Sequence, residues 1–157
     1  MRLLVEGTVD RVVVLFGWDT DPDPELTWAR GVTLVADDGT DTGLDHVGPV
    51  GIVGSSIGGL DALAFAARHP GLVDRVVLVA TQIPEDEGGL GFELSEVNAK
   101  TLLLFGAKDP LTGSRHGSWW HKRLPNARLE MSPQGGHELL VPMWKRVLSH
   151  LAPFSKR

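Results

Sequence analysis

Five short, almost uninterrupted apolar runs rich in β-branched residues recur along the chain: "RVVVLFG" (11–17), "VTLVA" (32–36), "VGIVG" (50–54), "RVVLVA" (75–80) and "TLLLFG" (101–106). Runs this continuously apolar predict strands covered on both faces, as in a parallel sheet. A sixth, "ARLEMS" (127–132), alternates more and suits an edge, and "RLLV" near the start adds a short antiparallel strand. Helices are expected between them: a short one around Glu25–Arg30, then Ile57–His69, Ser114–Arg123 and about Pro142–Leu151. In the second of these, Leu60, Leu63, Ala64 and Ala67 fall on one stripe at helical spacing, and Pro70-Gly71 marks its end. Strand alternating with helix means α/β. Parallel neighbours need right-handed crossovers, so helices should cover both faces of a mostly parallel sheet in three layers.

At 157 residues the chain suits one domain, 1–157, with a single sizeable core. A net charge of −5 argues against nucleic acid or anionic membrane as partner, since both favour clustered Lys and Arg. The absence of cysteine excludes disulfides, thiol nucleophiles and Cys-based metal sites. The opening "MRLLVEGTVD" reaches Glu6 after three apolar residues, too few for a signal-peptide core, and no run approaches a membrane span, so a cytoplasmic protein is expected.

Gly54-Ser55-Ser56-Ile57-Gly58 fits G-x-S-x-G at Ser56, between an apolar strand and an amphipathic helix, which is the context the motif requires. A nucleophile at such a turn adopts a strained backbone, and the residues two before and two after must be small; Gly54 and Gly58 are. The helix N-terminus also directs free N–H groups, that of Ile57 first, at charge forming beside the serine. The plainer reading is a glycine-rich strand-to-helix turn, and Ser55 is read as a small packing residue. A serine hydroxyl needs a base, itself oriented by a carboxylate. "LLLFGAKDP" places Asp109 just beyond an apolar strand, and "SPQGGHELL" places His137 in a loop after the last strand. Ser56, Asp109 and His137 thus each follow a predicted strand at its C-terminal end, where sites gather in parallel α/β sheets.

Taken together, "GSSIGGLDALAFAARHP…VDRVVLV", "TLLLFGAKDP" and "PNARLEMSPQGGHELL" resemble the α/β-hydrolase superfamily over most of residues 11–151. The resemblance implies a Ser nucleophile, an acid after the next-to-last strand and a His after the last, which map onto Ser56, Asp109 and His137. It also implies an oxyanion hole whose backbone donors would be Trp18 and Ile57. The family usually carries His-Gly after its third strand; here "LFGWD" has Phe16 in place of that His and keeps Gly17. Family members often insert a cap after the strand matching 75–80, whereas only "TQIPEDEGGLGFELSEVNAK" precedes the next strand here, and the connection from Asp37 to Pro49 is also short. A minimal α/β-hydrolase-like core without a cap, with an open site, is expected.

The remaining histidines, His46, His69, His116, His121 and His150, read as surface or capping residues, and no H-E-x-x-H is present, so neither metal nor cofactor is expected. Of Trp119 and Trp120, about 100° apart on a helix, one should be core and the other partly exposed; Trp28 and Trp144 read as packing residues, and Lys108 as a solvated neighbour of Asp109. The function expected is hydrolysis of small carboxylic esters through an acyl-enzyme on Ser56, with a small-molecule ester as partner and homo-oligomerisation left open. Thioester cleavage and perhydrolysis use the same parts, and a binding protein with little turnover is the alternative from another class.

Overall fold

The computed structural model describes residues 2–17, 31–37 and 49–153. The helix expected around Glu25–Arg30, Trp18, Trp28, His46 and the interior of the Asp37–Pro49 connection lie outside the described residues. Seven strands form one sheet: β1 (Arg2–Val5), β2 (Val12–Phe16), β3 (Thr33–Ala36), β4 (Val50–Ser55), β5 (Val73–Val79), β6 (Lys100–Gly106) and β7 (Ala127–Ser132). Their order is β1-β3-β2-β4-β5-β6-β7. β1 runs antiparallel to β3, and every other pairing is parallel. All six apolar runs are therefore strands, "ARLEMS" is the edge strand β7, and "RLLV" is the antiparallel one. The chain steps from β2 outward to β3, then crosses back over β2 to β4 and continues outward in the other direction. The carboxyl ends of β2 and β4 thus flank the point where the winding reverses, the place where open α/β sheets bind ligands.

Side chains alternate between the two faces of each strand. On one face Val14 and Phe16 of β2 and Ile52 of β4 pack with Leu63 and Phe65 of α1 (Gly58–Arg68) and Trp120 of α2 (Gly113–Arg123). On the other, Val13, Leu15, Val53 and Val77 pack against Trp144, Val147, Leu148 and Leu151 of α3 (Trp144–Leu151). The result is the three-layer arrangement that the strand–helix alternation predicts.

The apolar stripe expected on α1 is met in part, with Leu63 buried and Leu60 and Ala67 packed against the same core. The buried stripe of α1 is Gly58, Gly59, Ala62, Leu63, Phe65 and Ala66, while Leu60, Ala64 and Ala67 sit at its margins. The helix is turned so that its smallest residues face the strand ends. This close seat, with Leu63 and Phe65 as the bulky anchors, sets which face is most deeply buried. Between β5 and β6 the chain makes only two single 3-10 turns, Glu87–Gly89 and Leu94–Glu96, so no cap is inserted there. Among the described residues no helix is long and apolar enough to cross a membrane.

Arg11, just before β2, fastens the edge of the sheet opposite the reversal point. Its guanidinium donates to Leu151 O at the end of α3 (Nε, 2.9 Å; Nη2, 2.5 Å), to Pro49 O (2.7 Å) and to both carboxylate oxygens of Asp74 (2.7 and 3.1 Å). Only 16% of the Arg11 side chain is exposed against 46% for Asp74, so the carbonyl bonds matter more than the solvent-screened ion pair. Truncation leaves the Leu151 carbonyl at the end of α3, and that of Pro49, without this donor. Arg11→Ala is expected to lower the unfolding free energy by about 2 kcal/mol. Urea denaturation measures this, and a loss much larger than that of Asp74→Ala would place the effect at the carbonyls.

Candidate active site

β4 ends in a backbone that most side chains avoid: Ser56 has φ 54°, one of two non-glycine residues with positive φ among those described. Its N–H donates to Val79 O on β5 (2.8 Å), and its carbonyl accepts from Gly59 N (3.1 Å) as α1 begins. The chain can turn this sharply only because its neighbours carry no Cβ. One on Gly54 would stand 2.5 Å from Gly59 Cα, and one on Gly58 would stand 2.5 Å from Phe16 O and 2.6 Å from Gly17 N. The small residues required around Ser56 are thus where β2, β4 and α1 converge.

The other two candidates meet at this turn. Ser56 Oγ lies 3.0 Å from His137 Nε2, and His137 Nδ1 lies 2.8 Å from Asp109 Oδ2. The three side chains therefore form one continuous relay, although they are 28 and 81 positions apart in sequence. The Asp109 side chain is fully shielded from solvent, whereas that of His137 is 20% exposed. An ionised carboxylate only accepts, so the Nδ1 of His137 carries the proton and Nε2 presents its lone pair to the Ser56 hydroxyl.

Asp109 is held by the turn that follows β6. Leu111 N donates to Oδ1 (2.7 Å), and the Thr112 hydroxyl donates to Oδ2, the oxygen that also receives His137. Burial by itself would raise the pKa of this carboxyl, but the hydrogen bonds from Thr112, His137 and Leu111 outweigh it and hold the group below the ordinary aspartate value. Thr112 and the Leu111 amide are functional groups that the sequence analysis does not anticipate. The signal was present in "DPLT", since an Asp that bonds the backbone two residues on is the usual start of such a turn. His137 is placed by the loop after β7. Lys108 N donates to Gly135 O (2.9 Å), Ala107 N to Ser132 O (2.9 Å) and Gly135 N to Ser132 O (3.1 Å). A Cβ on Gly106 would lie 2.3 Å from the carbonyl oxygens of both Gly135 and Gly136, so that glycine lets the His137 loop rest directly on the end of β6. Lys108 is exposed, as expected, and also donates to Gln134 Oε1 (2.5 Å), linking the same two loops.

Ile57 stands at the N-cap of α1, where its N–H has no partner one helical turn earlier in the chain. Ile57 is 78% exposed, and Leu111, two residues after Asp109, is 52% exposed. Trp18, the second expected oxyanion donor, lies outside the described residues; the preceding Gly17 has φ 85° and abuts Gly58. Trp120 is fully buried and donates from Nε1 to Thr81 O (2.9 Å), while Trp119 is partly exposed beneath the Arg123 guanidinium, 3.9 Å from its ring centre. Trp144 is buried against the sheet as expected. A separate groove of about 630 Å³ is bordered by Glu87, Phe92, Glu93, Glu96 and Arg123 and by none of the three relay residues. Among the described residues no cluster of three or more His, Asp or Glu side chains is gathered as a metal site needs.

No protein-family model matches the chain, and no curated protein matches it. Solved structures do. A CIB-like hydrolase from Thermoplasma acidophilum is similar over 88% of this chain and 82% of its own, with 20% identity and a TM-score of 0.64. The thioesterase domain from the curacin biosynthetic pathway is similar over 88% and 89%, with 14% identity and a TM-score of 0.69. Est1E from Butyrivibrio proteoclasticus, in its structure with ferulic acid bound, is similar over 92% and 88%, with 12% identity and a TM-score of 0.65. Likeness at such low identity speaks to architecture, and together with the strand order and the turn at Ser56 it identifies the chain as an α/β-hydrolase-fold protein.

Proposed function

We propose that this chain is a serine hydrolase that cleaves carboxylic esters with short or small acyl groups. The observation that carries the reading is the continuous Ser56–His137–Asp109 relay with Ser56 at φ 54° on the strand-to-helix turn. A hydroxyl presented on a tight turn, within hydrogen-bond reach of a neutral imidazole that a buried carboxylate orients, is equipped for nucleophilic attack. In the reaction, Ser56 Oγ bonds to the ester carbonyl carbon as its proton passes to His137 Nε2. The carbonyl oxygen takes up the negative charge, facing the N–H of Ile57 and, by the family pattern, that of Trp18. Collapse breaks the bond to the alcohol, which leaves with the proton from His137. Water then repeats the sequence on the acyl-enzyme, giving the acid and restoring Ser56. Asp109 stays ionised throughout and stabilises the imidazolium. The chemistry asks for no metal or organic cofactor, and the same parts would serve a thioester.

The preference for small acyl groups rests on the connection between β5 and β6, whose two single turns build no cap over Ser56. An acyl chain gains about 0.8 kcal/mol per buried CH₂ only where walls exist to bury it. Measured across p-nitrophenyl esters from C2 to C12, kcat/KM is expected to be highest at the short end, with no jump when the substrate forms micelles. A steady rise toward C12 would mean that a deep apolar acyl site exists and would overturn the open-site reading.

A further inference from the structure

Two non-glycine residues among those described have positive φ, and the second, Ala80 (φ 51°), ends β5 beside the Ser56 turn. β5 lies between β4 and β6, so the chain leaving Ala80 emerges between the strand that leads to the nucleophile and the one that leads to the acid. Thr81 is fully buried against the first turn of α1, where a Cβ on Gly59 would stand 2.1 Å from its Oγ1; Gln82 is exposed, and Ile83 and Pro84 are half-buried. A left-handed alanine is an unfavourable way to begin a loop, so something must hold the segment in place. α2 does so twice from one face. Trp120 Nε1 donates to Thr81 O (2.9 Å), and one helical turn earlier His116 Nδ1 accepts from Ile83 N (2.8 Å).

We propose that His116 is a positioning residue for the proposed hydrolase: its Nδ1 lone pair fixes Thr81 to Pro84 as one wall of the substrate groove, and protonation of the ring releases that wall. The proposal rests on the hydrolase reading for its kinetic consequence and on geometry for the anchor itself. A neutral imidazole has a single acceptor nitrogen, and the backbone N–H of Ile83 can only donate, so Nδ1 is that acceptor and the ring proton sits on Nε2. The Arg115 guanidinium, 3.2 Å from Nε2, also can only donate. It therefore opposes a charge on the ring rather than bonding to it. A protonated ring would turn an N–H toward the Ile83 N–H, and the anchor would break.

The charged groups acting on the ring are Arg115 from α2 and Asp109 from the turn before it. Burial and then Arg115 push His116 below the ordinary imidazole value, with Asp109 pulling weakly the other way, so the anchor holds at neutral pH and is lost only as pH falls below the ordinary imidazole range. His116 is not one of the relay residues, whose hydrogen bonds run from Ser56 through His137 to Asp109. Its loss should therefore act on substrate binding more than on chemistry.

Asn carries its carbonyl oxygen where His carries Nδ1, so His116→Asn keeps the acceptor and removes the titration, whereas His116→Ala removes both. Amide exchange at Ile83, corrected for intrinsic rates, reads the anchor without any turnover. In the wild type its protection should fall about tenfold as pH is lowered from neutrality to well below the ordinary imidazole range, should be pH-independent in His116→Asn, and should be low throughout in His116→Ala. On a short p-nitrophenyl ester near pH 8, His116→Ala should raise KM about fivefold with kcat within about twofold, and His116→Asn should bring KM back toward wild type. Equal Ile83 protection in the wild type and His116→Ala, or a KM in His116→Asn as high as in His116→Ala, would overturn the proposal. If the wild type hydrolyses no ester, the hydrolase reading fails by itself, and Ile83 exchange still decides whether the anchor exists.

Discussion

Ser56→Ala is expected to lower kcat for ester hydrolysis by about 10⁶ while leaving the fold intact, because relay residues act as a unit and what survives is the effect of substrate binding and oxyanion donors alone. Among the described residues the hydroxyl has one polar partner, His137 Nε2, and alanine tolerates φ 54° no worse than serine does, so the melting temperature should barely change. Ser55→Ala provides the control. That neighbouring serine is a packing residue at the end of β4, outside the relay, and its removal should alter kcat by no more than about twofold. A Ser56→Ala protein that keeps more than about a tenth of wild-type turnover would show that the hydroxyl is not the nucleophile.

Asp109→Asn should cost about 10⁴ in kcat, and the hydrogen bonds dictate why. Leu111 N–H donates to Oδ1 at 2.7 Å, so an asparagine there must keep its oxygen on that side. Its NH₂ then occupies the place of Oδ2, facing two groups that now donate, Thr112 Oγ1 and His137 Nδ1. The imidazole answers by moving its proton to Nε2, where it can no longer accept one from Ser56. Single-turnover acylation isolates this step, and an Asp109→Asn enzyme within about tenfold of wild type would contradict the assignment. The same contacts have a thermodynamic consequence. Because the carboxyl is held below its ordinary pKa of 3.8, it adds stability that is present above that value and is lost as pH falls through the lower folded-state value. Asp109→Asn should lack this acid-limb loss in urea midpoints measured at descending pH.

Much of the site was legible because it is written in local pattern. Apolar runs marked where strands end, and Ser56, Asp109 and His137 could be placed at those ends without knowing any distance. The Gly54 and Gly58 spacing announced a tight turn, and the turn has the left-handed serine it implies. What could not be read is what depends on how separate segments meet. The buried stripe of α1 is offset from its apolar spacing because Gly58 and Gly59 fit against strand ends, a fact of tertiary fit rather than of periodicity. Gly106 looks like any residue closing a strand until the Gly135 and Gly136 carbonyls are found resting on it. His116 read as a surface residue because its partner is a backbone N–H 33 positions away, and Arg11 bonds a carbonyl 140 positions away. Contacts from a side chain to a remote backbone leave no trace in the partner's residue type.

The central claim is that Ser56 is an activated nucleophile, and a fluorophosphonate probe tests it most directly because phosphonylation requires the relay but no knowledge of the natural ester. Intact mass followed by peptide mapping should find one adduct, on Ser56, formed at a rate that His137→Ala slows sharply and abolished in Ser56→Ala. A folded protein that gains no adduct at Ser56 under conditions that saturate a known serine hydrolase would contradict the account, and the chain would then be a binding protein built on a hydrolase fold.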